Sequence, residues 1–414
     1  MKQLLLVGVG FLSGSLSAQT SWIVPTGVDL APYIAQASPG DTLLLGASHP
    51  GFTLGKELVL RPQSGRTVIA WNYFPGATGS SFIQPPAGQS ALLVNLDFAS
   101  APPLFQGHNG IGHPVEATGQ VSFEGCTFQC VGSSSTALTS RGSTTLRNCT
   151  LGASFSAMTL RVESGSCSAV NCLFQGANAV SGMGMNDQHP HPGAIVLGGT
   201  FHASRCTFTP GAAVLAWGGL AYPVGPAPGL FVNGGTAFLV DCTASGGSFP
   251  TGFPGIPGPY LGSPAILVNA GSVHYTLCNL QPGNGGPGYP PAARTIGNAT
   301  PDNDLVGIQS SGRVRIGTTW TATAIAGASS QTLGFAFGFG LAPSTVPFVP
   351  EPVWLDPAQA ILAGFSNPAP GASVPAALAV PNVLSLVGAE LWCQAVQLDG
   401  PLVRVSPVVG GVIY

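Results

Sequence analysis

Between residues 119 and 280, apolar and polar positions alternate in short blocks that recur along the chain. Cys126, Cys149, Cys172, Cys206, Cys242 and Cys278 are spaced 23, 23, 34, 36 and 36 residues apart, and each follows a glycine by seven residues (Gly119, Gly142, Gly165, Gly199, Gly235, Gly271). Five residues before each cysteine stand Val121, Thr144, Cys167, Phe201, Ala237 and Val273, and three before stand Phe123, Leu146, Ala169, Ala203, Leu239 and Tyr275. Two after stand Phe128, Leu151, Phe174, Phe208, Ala244 and Leu280. A period of two predicts a strand ahead of each cysteine. The residue just before the cysteine breaks that period: Gly125, Asn148, Asn171, Arg205, Asp241 or Leu277. Gly, Asn and Asp tolerate the left-handed backbone, so the pattern predicts a sharp bend and then a second short strand. A further strand precedes each glycine, clearest at 194–197, 230–233 and 266–269. An earlier copy with one extra residue occupies 88–98, with Asn95 at the bend and Leu96 in the cysteine place.

Three short strands in a coil of about 23 residues describe a right-handed parallel β-helix, with rungs ~4.8 Å apart around one apolar column. Over residues 21 to 290 the chain resembles the pectate-lyase-like, parallel β-helix repeat superfamily. The asparagine at the second bend is a recurrent feature of that family, matched by Asn95, Asn148 and Asn171. Ahead of the repeat, Asp29, Leu30, Tyr33, Ile34 and Ala37 have the spacing of a short amphipathic helix that would cap the first coil, with Asp29 as its N-cap. The stretches 40–45 and 55–60 look like the opening strands of that superfamily. A Gly-, Pro- and Asn-rich boundary follows at 282–309, and alternating segments at 314–326, 332–341, 353–365 and 390–405 predict a small β-sandwich. There Phe335, Phe337 and Phe339 read as core. The expected division is a leader at 1–18, an all-β helix at 19–290, a linker at 291–310 and a C-terminal domain at 311–414. The stretch 386–398 looks like the closing motif of a C-terminal β-domain found in secreted bacterial proteins, which names no activity.

The first residues set the compartment. Lys2, an apolar run over 4–12 and small residues to Ala18 have the pattern of a secretory signal peptide cleaved near Gln19. The expected protein is secreted or held at the cell surface, with no membrane span after cleavage. The uncharged stretch 318–343 reads as strand. Disulfides are permitted in that compartment. The stacked cysteines could stay reduced as small hydrophobes or bridge neighbouring coils, since stacked Cα atoms fall within disulfide range.

Composition narrows the function. Only 12 Lys+Arg and 15 Asp+Glu occur among 414 residues, 7% charged, with 59 Gly, 38 Pro and 45% apolar residues. A helical bundle is excluded by the glycine, and a charged disordered chain by the apolar content. Nucleic-acid binding is excluded because a net charge of −3 gives no phosphate-tracking stripe.

The resemblance implies two kinds of polysaccharide chemistry: lyases with acidic Ca²⁺ ligands and a basic proton acceptor, or hydrolases with paired carboxylates. Both would place these groups on the first strand of each coil. Those strands hold almost no carboxylate here, Glu163 being the exception. Asp241 reads as a bend former, Asp302 and Asp304 as solvated turn residues, and Glu124 with Arg147 as a surface ion pair. Asp187, His189 and His191 form the one candidate divalent-metal set, with His108 and His113 in a second loop on the same side. No other cofactor is indicated. Three long insertions, about 177–193, 209–228 and 245–264, fall on consecutive coils and carry Trp217, Tyr222, Phe249, Phe253 and Tyr260. These aromatics either stack on sugar rings or fold back over the strands. The resulting expectation is a non-catalytic protein that binds a neutral polysaccharide or cell-envelope glycan, or serves in adhesion or as a structural rod. The alternative is a polysaccharide-degrading lyase or glycoside hydrolase with an atypical site in the long loops. A sorting or surface-attachment role for the C-terminal domain is a third possibility.

Overall fold

The computed structural model describes residues 19–70, 80–99, 114–131, 136–154, 157–178, 190–212, 225–249, 261–286, 288–328, 332–356, 358, 360–387, 389–399 and 402–414. The leader read at 1–18 lies outside them. Parallel strands in sheets of 18 and nine build a solenoid-like body. One coil consists of Thr136–Ser140, Ser143–Arg147 and Thr150–Ser154. Each of these strands pairs in register with its counterpart in the coils before and after. First and second strands of the coils make the larger sheet, and third strands make the nine-stranded one.

The apolar columns of the sequence are the inward columns of the fold. Val121, Thr144, Cys167, Phe201, Ala237 and Val273 are stacked register partners, as are Phe123, Leu146, Ala169, Ala203, Leu239 and Tyr275. Their side chains join one continuous core with the third-strand column, where Phe98 stacks on Phe128 at 5.0 Å and Phe174 on Phe208 at 5.1 Å. The bend residues Asn95, Asn148, Asn171, Arg205, Asp241 and Leu277 all have φ between 51° and 54°, and Gly125 has 61°. At every bend but that of Asn95 a cysteine follows and turns inward, and its thiol approaches the carbonyl two residues back, as from Cys172 to Val170 at 3.3 Å and from Cys278 to Thr276 at 3.2 Å. A small side chain with a weak donor suits a buried carbonyl at a tight corner. All nine cysteines are free thiols. Burial pushes Cys126, Cys172 and Cys206 up and keeps them protonated.

Near the first strand, Ser21–Val24, a helix covers Ala31–Gln36. It adds Leu30, Ile34 and Ala37 to the core. Leu30 takes the N-cap position without a side-chain bond, and Asp29 instead accepts the Ala31 N–H at 3.0 Å. After Thr295–Ile296 and Ala299–Pro301 add a last parallel rung, the chain turns antiparallel. A three-stranded sheet (Gly307–Ser310, Thr319–Ile325, Ser373–Ala379) and a four-stranded sheet (Ile361–Ser366, Thr332–Gly338, Glu390–Asp399, Leu402–Val412) follow. They share a core that includes Trp320, Phe335, Leu391 and Cys393, with Phe337 packed against it, while Phe339 is exposed.

This antiparallel part lies on the outer face of the solenoid's second strands. Its last strand, Leu402–Val412, crosses the rungs. Val412 packs with Val59, Leu92 and Val94, Gly411 lies beside Glu124 and Arg147, and the Val408 N–H donates to Ser168 Oγ at 3.3 Å. The seam also carries charge. Glu124 and Arg147 meet at 2.7 Å with both side chains 7% exposed. Arg313 Nε adds a bond to Glu124 at 3.2 Å, and Arg147 donates to Ser310 Oγ at 3.1 Å. Arg404 joins Glu351 at 2.9 Å and also pairs with Asp302. Two expectations are thereby corrected: Glu124–Arg147 is a buried pair, and Asp302 is a partly buried ion-pair partner. Strands far away in sequence cover positions that read as surface from the coil alone.

Candidate binding face of the solenoid

The first strand of each coil points alternate residues inward and outward. Leu138, Leu160, Val196, Val232 and Val268 enter the core. Between them the register stacks Phe82, Glu116, Thr139, Arg161, Ile195, Phe231, Leu267 and Ile296 as one outer column. Seven steps of ~4.8 Å make a track about 34 Å long. Two residues past this column stand Arg141 and Glu163, just beyond their strands, and Asn233 and Asn269, where a bulge shifts the register and pairs Asn233 with Ala270.

The track has two chemically distinct halves. In the earlier coils, Arg141 is bonded to both Glu116 and Glu163, and Arg161 Nε meets Glu163 at 2.7 Å. The bond to Glu163, then the charge of Glu116, hold the Arg141 guanidinium above its usual range. These four side chains are 20–43% exposed. In the later coils charge is absent from the strands. Phe231 and Leu267 stand half-buried in one column, with exposed Asn233 and Asn269 beside them. Asn269 Nδ2 donates to Asn233 Oδ1 at 2.7 Å. That single bond leaves the Asn233 amide nitrogen and the Asn269 oxygen available.

The insertions read at about 177–193, 209–228 and 245–264 join third strands to the first strands of the next coils, at Ala194–Val196, Leu230–Val240 and Ile266–Thr276, and residues 179–189, 213–224 and 250–260 lie outside the described residues. Trp217, Tyr222, Phe253, Tyr260, Asp187 and His189 lie outside the described residues, as do His108 and His113. Phe249 is described and buried, its N–H donating to Asn284 O at 2.9 Å. His191 is half-buried, with its N–H on Ala177 O at 3.0 Å. Among the described residues no group of three or more His, Cys, Asp or Glu is gathered as a metal site.

Sequence reasoning missed Phe231, Asn233, Leu267 and Asn269 because it searched these strands for carboxylates. The available signal was the repetition of LFVNGG and ILVNAG 36 residues apart, which puts an apolar residue and an asparagine outward at positions i and i+2. Glu116 and Arg141 were missed because they become neighbours only through stacking. No family model, curated protein or solved structure matches the chain.

Proposed function

We propose that the chain is an exported right-handed parallel β-helix, closed at its first coil by the helix Ala31–Gln36 and carrying a C-terminal β-sandwich. In this reading it binds a neutral polysaccharide or cell-envelope glycan along the outer track of its first strands. The repeated Phe231/Asn233 and Leu267/Asn269 pairs carry the reading. A half-buried apolar surface beside paired amides offers a sugar ring both a stacking surface and donors and acceptors for its hydroxyls. The stacked coils hold these groups on strands, so little entropy is lost on binding. The neutral strands give no steering toward a polyanion.

A second reading rests on the Glu116–Arg141–Glu163 cluster. With Arg161, it places two carboxylates and two guanidinium groups on the same track, the equipment of a polysaccharide-degrading enzyme. One assay separates the two: a panel of neutral and acidic polysaccharides scored for retention and for new chain ends. Retention of a neutral polymer without new ends, weakened at least tenfold by Phe231→Ala/Asn269→Ala, supports the binding role. New chain ends that vanish in Glu163→Gln support the enzyme.

A further inference from the structure

The outer face of the nine-stranded sheet has a separate chemistry. Its six strands from Thr127–Val131 to Asn279–Gln281 contain no charged residue. Register stacks Thr127 on Thr150, Thr207 on Thr243, and Thr243 on Asn279. Beside this column, Gln129, Gln175 and Gln281 are exposed. Hydroxyls and amides both donate and accept, so the face is a flat array of two-way hydrogen-bonding groups repeating every ~4.8 Å. The array begins at a shallow, open groove lined by Arg66, Val68, Asp97, Ala99, Thr127 and Gln129. In it Arg66 Nε bonds both oxygens of Asp97 at 2.8 and 2.9 Å, and Nη2 reaches Thr127 Oγ1 at 2.8 Å. This planar, neutralised pair is still 42% and 27% exposed.

We infer that this face is a second carbohydrate surface, entered at the Arg66–Asp97 groove and occupied by an extended, neutral, hydroxyl-rich chain such as a β-linked glucan. The inference rests on the carbohydrate reading above and extends it to the opposite sheet. The absence of charge narrows the ligand: past the ion pair, six rungs offer nothing to a polyion. A protein partner would need large apolar or aromatic anchors, and Leu173, half-buried, is the one large apolar side chain in the threonine column. A polysaccharide needs periodic donors and acceptors, which this column and its glutamine neighbours supply. The Asp97 carboxylate and Arg66 guanidinium together can accept from and donate to adjacent hydroxyls of a terminal sugar.

The test is retardation of the full chain in native gels containing hydroxyethyl-cellulose or a soluble β-1,3-glucan. Thr150→Lys/Thr207→Lys, on half-exposed positions, is expected to reduce affinity at least tenfold with an unchanged urea midpoint, which excludes a folding effect, while Thr150→Ser/Thr207→Ser keeps the affinity. Wild-type affinity in the lysine variant overturns the inference. If that variant loses affinity and Phe231→Ala/Asn269→Ala does not, this face stands and the first-strand track falls. Partial loss in both supports both surfaces. Retardation by neither glucan, or ice-growth inhibition lost in the lysine variant, overturns the glucan assignment.

Discussion

Leu277 holds φ at 53° in the bend where most other coils use Asn, Asp or Gly and one uses Arg205. A β-carbon in that left-handed region costs roughly 1–2 kcal/mol, less for asparagine. The Leu277 side chain is 43% exposed, so little packing offsets the strain. Leu277→Asn is expected to stabilise the chain by about 1 kcal/mol, read as a higher urea midpoint with an unchanged slope. His202 is a second informative residue. It is fully buried under the seam between Ser168 and Phe238, and both ring nitrogens lack a partner. Burial first, then the charge of Arg404 on the crossing strand, pull it down to about 3. The unfolded imidazole, titrating near 6.5, takes up a proton that the folded one refuses. Its contribution to stability is therefore complete above about pH 6.5 and falls as pH drops toward 3. Between pH 7 and pH 5 the loss is expected to reach about 2 kcal/mol, and His202→Phe should remove that part of the urea-midpoint shift.

At the scale of elements, the coils were legible because their signal is local. Gly–Cys offsets and alternation fixed the strands, the bends and their stacking order, and Asn95, Asn148 and Asn171 sit where the pattern put them. The seam had no such signal. Ser90 donates to Glu390 at 2.6 Å across 300 residues, and Val170, an outward residue of its coil, belongs to the antiparallel core. Nothing in an alternating strand states whether its outer face meets water or another sheet. The seam can be tested through its buried pair. Arg147→Met alone should cost about 3 kcal/mol, because it leaves Glu124 underpaired out of water. Arg147→Met/Glu124→Leu should recover most of that loss, since Arg313 is 30% exposed and can turn to solvent. A double-mutant cycle in urea measures the coupling, and additive losses would show that the pair is not coupled.

Across the whole molecule, scarce charge has a pattern. Glu124, Arg147 and Arg313 serve the contact between solenoid and antiparallel sheets, Arg404 pairs with Asp302 beside the last rung and with Glu351 within the antiparallel part, and Glu390, whose carboxyl burial pushes up, meets Ser90 across the contact. In the sequence, low charge spoke against nucleic-acid binding. The fold gathers part of it in one contact and leaves the later half of the first-strand track, and the last six strands of the nine-stranded sheet, without charge. The proposed faces were hard to see for a related reason: each is assembled from single residues on separate coils, and its chemistry exists only after stacking.

Solenoids in which each coil touches only its neighbours tend to fray from the ends, coil by coil. The strand Leu402–Val412 changes this here. Eleven residues at ~3.3 Å each span about as far as seven rungs at ~4.8 Å, and the strand is anchored at Val412, Gly411 and Val408 to successive coils. It acts as a splint laid across the rungs. Under tension applied between residues 20 and 414, the splint is loaded in shear, and several coils must let go together. Single-molecule pulling should record one dominant rupture rather than a staircase of coil-sized steps, and Val408→Pro with Val412→Asp should restore the staircase.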